Sequence, residues 1–250
     1  MEADKLQRWI DDIDATRAEF QRNIGAVKLG ALGTAAQLLS LPRRLAGARR
    51  DGDTNLQRPW LPVWPALTAK PVHDPADFPW IKPLEDASHD ILGELTRVRE
   101  TFERARFDSD QNPTTWKTYY FYLQGKPIKE HLAACPIIRD LLTQIPHNGL
   151  HVCFSAIQPG GSLHPHTGPT NMGLTAHLGV ENCAGSRLWV ANQVLDYVDN
   201  KVFVFDDSFV HYVENTSPNV RYTLMITFWH PELSALERML MGRLVSAFPI

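Results

Sequence analysis

From His147 onward the chain falls into short β-prone runs, HVCFSAIQ, MGLTAHLGV, SRLWVAN, KVFVFDD, HYVEN and RYTLMITFW, broken by Pro, Gly, Asn and Asp. Each run is too short for a buried helix and rich in β-branched and aromatic residues, and the breaks are turn formers. Six such strands in about 80 residues, with no fixed repeat, predict a sandwich or barrel of jelly-roll type. The upstream half reads differently. Residues 3 to 22 set Leu6, Ile10, Ile13 and Phe20 among charges at helical spacing, and a second helical stretch runs to about Ala48. Further helices are expected from about Leu84 to Arg106 and from Ile137 to Gln144. The fold class is therefore α+β with a mainly β core and N-terminal helices packed outside.

The basic, loop-like RRLAGARRDGD suggests a boundary within residues 43–58, giving a helical extension over 1–58 and a main domain over 59–250. After it, RPWLPVWPALTAKPVHDPADFPW has Pro every few residues. Proline lacks the N–H and restricts the residue before it, so this is extended chain laid over a surface. Residues 24–41, IGAVKLGALGTAAQLLSL, are the most apolar stretch, but they include Lys28 and three glycines and fall short of about 20 mostly apolar residues. The expectation is a helix lying on its own domain, with no transmembrane segment; an apolar stripe there is all that peripheral membrane contact would need.

Lys and Arg number 25 and Asp and Glu 28, a balance with no broad footprint for nucleic acid, so none is expected as a partner. Three cysteines without a CxxC pair and no secretory leader point to a reducing, cytoplasmic setting.

Seven of the ten histidines lie between residues 147 and 230: His147, His151, His164, His166, His177, His211 and His230. Neutral imidazole is the commonest protein ligand for transition metals, so this density hints at a metal. The local grammar is sharper. His166 sits in the loop HPHTGPTN between two strands, His211 follows 45 residues later in FDDSFVHYV, and Arg221 opens a strand ten residues after that. Two strand-end histidines followed by an arginine match the layout of non-haem Fe(II) oxygenases, where the arginine pairs with 2-oxoglutarate. Open metal positions are needed for cosubstrate and O2, so few protein ligands are wanted.

The blocks FSAIQPGGSLHPHTGPTNMGLTAHLGV and FDDSFVHYVENTSPNVRYTLMITFWHPEL closely resemble the aspartyl/asparaginyl β-hydroxylase family, and the upstream WKTYYFYLQG and CPIIRDLLTQIP are similar to it as well. The likeness covers roughly residues 60–235. It implies a double-stranded β-helix (jelly-roll, cupin-like) barrel and an Fe(II)- and 2-oxoglutarate-dependent dioxygenase. His166 and His211 would bind iron. Gly168 stands where related oxygenases place a ligating carboxylate, as it does in the family, leaving two protein ligands. Asp206 and Asp207 are read as turn caps or anchors of His211 rather than stand-in ligands. Ser155 and Arg221 match positions that hold the 5-carboxylate of 2-oxoglutarate, His177 the position at its other end, and Trp116 a tryptophan near that pocket.

Strand alternation agrees with this placement. Ser155 shares a face with Cys153 and Ile157, Arg221 with Thr223 and Met225, and Thr175 with His177. One departure stands out. Many family members have an arginine where this chain has Thr175, so an acidic peptide substrate is less secure; Arg187 is a candidate replacement from a neighbouring strand. The expected activity is hydroxylation of an unactivated C–H in an amino-acid, peptide or natural-product substrate, with release of succinate and CO2. Two alternatives accompany it: a halogenase using the position left open at Gly168, and a non-catalytic cupin-like binding domain.

Overall fold

The computed structural model describes residues 3–41, 54–105 and 115–245. It begins with two helices, α1 (Ala3–Ile24) and α2 (Ala26–Leu39), hinged at Gly25, whose φ of 88° is one that glycine adopts without strain. Extended chain follows, including β1 (Val72–His73), and then α3 (Ile81–Asp86) and α4 (Ser88–Val98). The expected long helix from Leu84 to Arg106 is thus corrected. It starts earlier, is interrupted at Ala87, and gives way after Val98 to a short 3-10 turn and β2 (Glu103–Arg104). Expected helix outside residues 41 and the boundary over 43–53 lie beyond the described residues.

The remaining elements are β3 (Trp116–Leu123), β4 (Lys126–Pro127), α5 (Lys129–Ala134), α6 (Pro136–Leu142), β5 (His147–Ile157), β6 (Ser162–His166), β7 (Gly173–Glu181), β8 (Ser186–Val190), β9 (Gln193–Asp196), β10 (Val202–Phe205), β11 (His211–Asn215), β12 (Arg221–Trp229) and α7 (Ala235–Val245). Two sheets form. The larger runs β1-β10-β7-β12-β5-β3-β2 with β4 beside β3, and the smaller runs β6-β11-β8-β9. All named pairs are antiparallel. Along the chain the strands shuttle between the sheets, β5 to β6 to β7 to β8 and again β10 to β11 to β12. That alternation is the winding of a jelly-roll, double-stranded β-helix.

The two faces of the larger sheet do different work. Phe121, Phe154, Leu174, Leu178, Leu224 and Ile226 point outward and pack against Ile81, Leu84, Ile91, Leu95, Ile138 and Leu142 of the helices. Each such burial contributes about 1.5–3 kcal/mol. Glu94 ties this layer down: its buried carboxylate accepts the N–H groups of Ile137 and Ile138 at 2.8 and 3.0 Å, capping α6. The period of two then forces the intervening residues, Ser155, Thr175, His177, Arg221 and Thr223, toward the smaller sheet. A second apolar cluster joins Leu32 and Ala36 of α2 to Trp64, Met172 and Met241. Among the described residues no helix is long and apolar enough to cross a membrane.

Candidate metal and cosubstrate site

His166 ends β6 and His211 begins β11, and the antiparallel register sets them directly opposite each other. Their ring centroids are 4.2 Å apart. Nδ1 of His166 lies 2.7 Å from the carbonyl oxygen of His164, and Nδ1 of His211 lies 2.8 Å from that of Phe209. A carbonyl oxygen only accepts, so both Nδ1 atoms carry the proton and both Nε2 atoms keep a lone pair. Burial lowers the pKa of both rings, and at His211 the neighbouring His166 lowers it further. Two neutral imidazoles held in one tautomer by their own strands fit a transition-metal ion. No group of three or more His, Cys, Asp or Glu able to hold a metal occurs among the described residues.

Gly168 explains part of that. A Cβ there would lie 2.5 Å from both Cγ and Oδ1 of Asp207, so the Asp207 carboxylate already fills the space a side chain would need. Asp207 Oδ2 accepts from Thr175 Oγ1 at 3.1 Å, and burial pushes the acid up to about 7. Asp206 turns away from the histidines. It accepts from the backbone and hydroxyl of Ser208 and from Gln57, holding the turn that leads into β11. Burial carries it up to about 8.

Arg221 is only 1% exposed, and it makes no ion pair among the described residues. One guanidinium nitrogen donates to Thr223 Oγ1 at 2.9 Å, the guanidinium lies 4.5 Å from the Tyr197 ring centre, and Nε has no hydrogen-bond partner. A buried cation without a counter-ion costs several kcal/mol, so this arrangement calls for an anion that the described residues do not supply. Ser155 sits opposite Thr223, and its Oγ accepts from Trp116 Nε1 at 3.0 Å. That fixes the hydroxyl oxygen and leaves its O–H to donate into the same space. His177 engages Tyr197 Oη through Nδ1 at 2.8 Å, while its Nε2 is buried without a partner. Burial, reinforced by Arg221, lowers its pKa to about 3.

One cavity of about 620 Å³ gathers Trp116, Ser155, His166, His177, His211 and Arg221, together with Gly168, Thr175 and Asp207. Its walls come from both sheets. Of the remaining histidines, His151 and His164 also line it, whereas His147 packs on Tyr122 and His230 on His73. Arg187, a candidate replacement for the arginine absent at position 175, is corrected: it is exposed and paired with Asp196 at 2.9 Å, away from the cavity. The cavity also draws on residues that the sequence did not single out for the site, namely Trp9, Asp12, Ile13 and Thr16 of α1 and Trp60. Their spacing on α1 is that of one helix face, which is the signal that marks them.

Residues 85–231 match the aspartyl/asparaginyl beta-hydroxylase family. The chain belongs to that family. Helices α1 and α2 lie outside the matched stretch. Within the family, the chain is 32% identical over 173 residues to the ornithine lipid ester-linked acyl 2-hydroxylase of Rhizobium tropici, covering 64% of this chain and 61% of that protein. It is 29% identical over 179 residues to the human aspartyl/asparaginyl beta-hydroxylase, covering 64% of this chain and 24% of that one. Among solved structures it is similar to a Pseudomonas putida prolyl-4-hydroxylase, at 18% identity and a TM-score of 0.38, over 58% of this chain and 87% of that one. The chain thus spans less than two thirds of the length of either of these two curated relatives.

Proposed function

We propose that this family member is an Fe(II)- and 2-oxoglutarate-dependent dioxygenase that hydroxylates an unactivated C–H bond, with release of succinate and CO2. The observation that carries the reading is Arg221, a buried guanidinium with no acidic partner among the described residues, lining one cavity with two neutral histidines whose Nε2 lone pairs are free. His166 and His211 would hold the metal. When bound, Fe(II) with 2-oxoglutarate and O2 supplies the oxidising chemistry. The chain's residues supply orientation. Arg221 meets a distal carboxylate as its missing counter-ion, with Ser155 and Thr223 beside it, and His177 directs an unpaired Nε2 at the same space. Trp116 locks Ser155 in place. The apolar walls exclude water around these polar groups and strengthen them.

Asp207 bears on the choice between hydroxylation and halogenation. A chloride ligand would lie next to the carboxyl group of Asp207, which occupies the space beside Gly168. This favours hydroxylation. A vestigial, ligand-free site is disfavoured by the cost of keeping a buried arginine that has no acidic partner among the described residues. For the substrate, the Rhizobium relative is named for an acyl chain and the human relative for aspartyl and asparaginyl residues. Both classes are carried into the test.

That test is succinate formation by iron-loaded protein, coupled to O2 consumption, with acyl amino acids, peptides and lipids screened for a gain of one oxygen atom by mass spectrometry. Succinate formation dependent on Fe(II) supports the reading. Absence of both succinate formation and 2-oxoglutarate binding overturns it.

A further inference from the structure

We propose that α1 is the substrate-selecting wall of this cavity, and that the wall receives an acyl chain whose head group is neutral or cationic. The inference rests on the hydroxylase reading above and narrows its substrate.

Four residues of α1, Trp9, Asp12, Ile13 and Thr16, line the cavity that holds His166 and His211. They fall at the spacing of one helix face. The helix is fixed at several points along its length. Trp9 packs on Tyr212 of β11 at 5.2 Å, and Tyr212 stacks in turn on Trp189 of β8 at 4.6 Å. Asp14 pairs with Arg58 at 2.6 Å. Further along, Gln21 donates to the Trp60 carbonyl at 2.8 Å and Phe20 packs on the Trp60 ring at 5.0 Å. A helix held to both the smaller sheet and the extended segment is a wall of the site, not a passing extension.

Its chemistry selects. Trp9 and Ile13 join Trp60, Leu163 and Val213 in an apolar lining, suited to hydrocarbon rather than to a peptide backbone whose polar groups need partners. Charge points the same way. Among the described lining residues Arg221 is the only Lys or Arg, and it lies fully buried where the cosubstrate's carboxylate is expected. Thr175 is neutral and already bonded to Asp207. Asp12, an exposed residue of the lining, contributes a carboxylate on the solvent side. Among the described lining residues an anionic head group would therefore meet the Asp12 carboxylate and no second Lys or Arg, the Lys5 ammonium being placed over the Trp9 ring at 4.9 Å. A cationic one would meet its complement.

The test is calorimetric titration of the full chain loaded with Fe(II) and 2-oxoglutarate under anaerobic conditions, so that no turnover occurs. Binding of 2-oxoglutarate is read first. Its absence in the native protein would refute the dioxygenase reading itself, separately from the substrate proposal. The probes are then N-dodecanoyl-glycine, N-dodecanoyl-glycinamide, N-dodecanoyl-lysinamide and a short aspartyl peptide. The expected order is cationic over neutral by up to about fivefold, with the anionic acyl probe and the peptide weakest. Shortening the acyl chain by two methylenes should weaken binding about tenfold. Trp9→Ala should weaken the acyl probes about tenfold or more, with 2-oxoglutarate affinity within about twofold. Ile13→Trp fills the same space and should shift the preferred chain to a shorter length, a change that a merely structural role would not produce. Asp12→Asn should erase the head-group preference. Tighter binding of the aspartyl peptide than of the neutral acyl probe, or undiminished acyl binding in Trp9→Ala with no chain-length shift in Ile13→Trp, would overturn the proposal.

Discussion

The carboxylate of Asp207 fills the space beside Gly168 that a side chain there would need: a Cβ at position 168 would approach Asp207 Oδ1 to 2.5 Å. Gly168 also donates its N–H to the Asp207 carbonyl at 2.6 Å, so the two backbones are held together and the side chain cannot be relieved by separating them. Installing a carboxylate through Gly168→Asp should therefore not build a third metal ligand. It should destabilise the fold by about 1–3 kcal/mol through overpacking. Combining it with Asp207→Ala should restore most of the loss, as read by urea denaturation of the metal-free protein. Unchanged stability in the single variant would show that Asp207 can leave its place.

Thr175, at a position where the family resemblance leads one to expect arginine, has its hydroxyl engaged with Asp207. Threonine cannot grip a carboxylate bidentately, so aspartyl peptides should be poor substrates for the native protein. Thr175→Arg would bring a guanidinium beside the Asp207 carboxylate and into the cavity. Hydroxylation of an aspartyl peptide, followed by mass spectrometry, should rise in that variant. Efficient hydroxylation by the native protein would show that Thr175 does not direct specificity.

A third expectation concerns acid. His73 is buried, its Nε2 has no hydrogen-bond partner, and burial with help from His230 and Lys70 lowers its pKa from 6.5 to about 4. The folded protein therefore binds this proton less readily than the unfolded chain. The stability tied to a neutral His73 is fully present above about pH 6.5 and is lost as pH falls toward 4, on the order of 2–3 kcal/mol at most. His73→Gln should flatten the fall in stability over that window, measured by urea midpoints at successive pH values. The same slope in the variant would assign the acid sensitivity to other groups.

How far the sequence carried depends on the physics involved. Period-two alternation was sufficient to put Ser155, Thr175, His177 and Arg221 on cavity-facing positions, because a strand with one face against helices has no other choice. The strand runs after His147 were legible for the same reason. The strand Trp116–Leu123 carries no such signal, since its run of Tyr119, Tyr120 and Phe121 is buried on both faces and shows no alternation. The break at Ala87 was equally hidden, because nothing in the local spacing separates α3 from α4. Asp207 against Gly168 is a contact across 39 positions, set by the register of the smaller sheet, and no local pattern reports it. The amphipathic spacing of α1 is plain in the sequence, yet what its apolar face meets is a tertiary fact.

The proposed function requires two histidines and one buried arginine to serve a single metal–cosubstrate site. Anaerobic titration of Fe(II) and 2-oxoglutarate into the protein, followed by the visible charge-transfer absorption of the complex, tests it most directly. One iron and one 2-oxoglutarate per chain are expected. The absorption should vanish in His166→Ala and in His211→Ala, and in Arg221→Ala it should appear only at roughly thirtyfold or more higher 2-oxoglutarate. Full absorption in either histidine variant, or an unchanged 2-oxoglutarate requirement in Arg221→Ala, would contradict it.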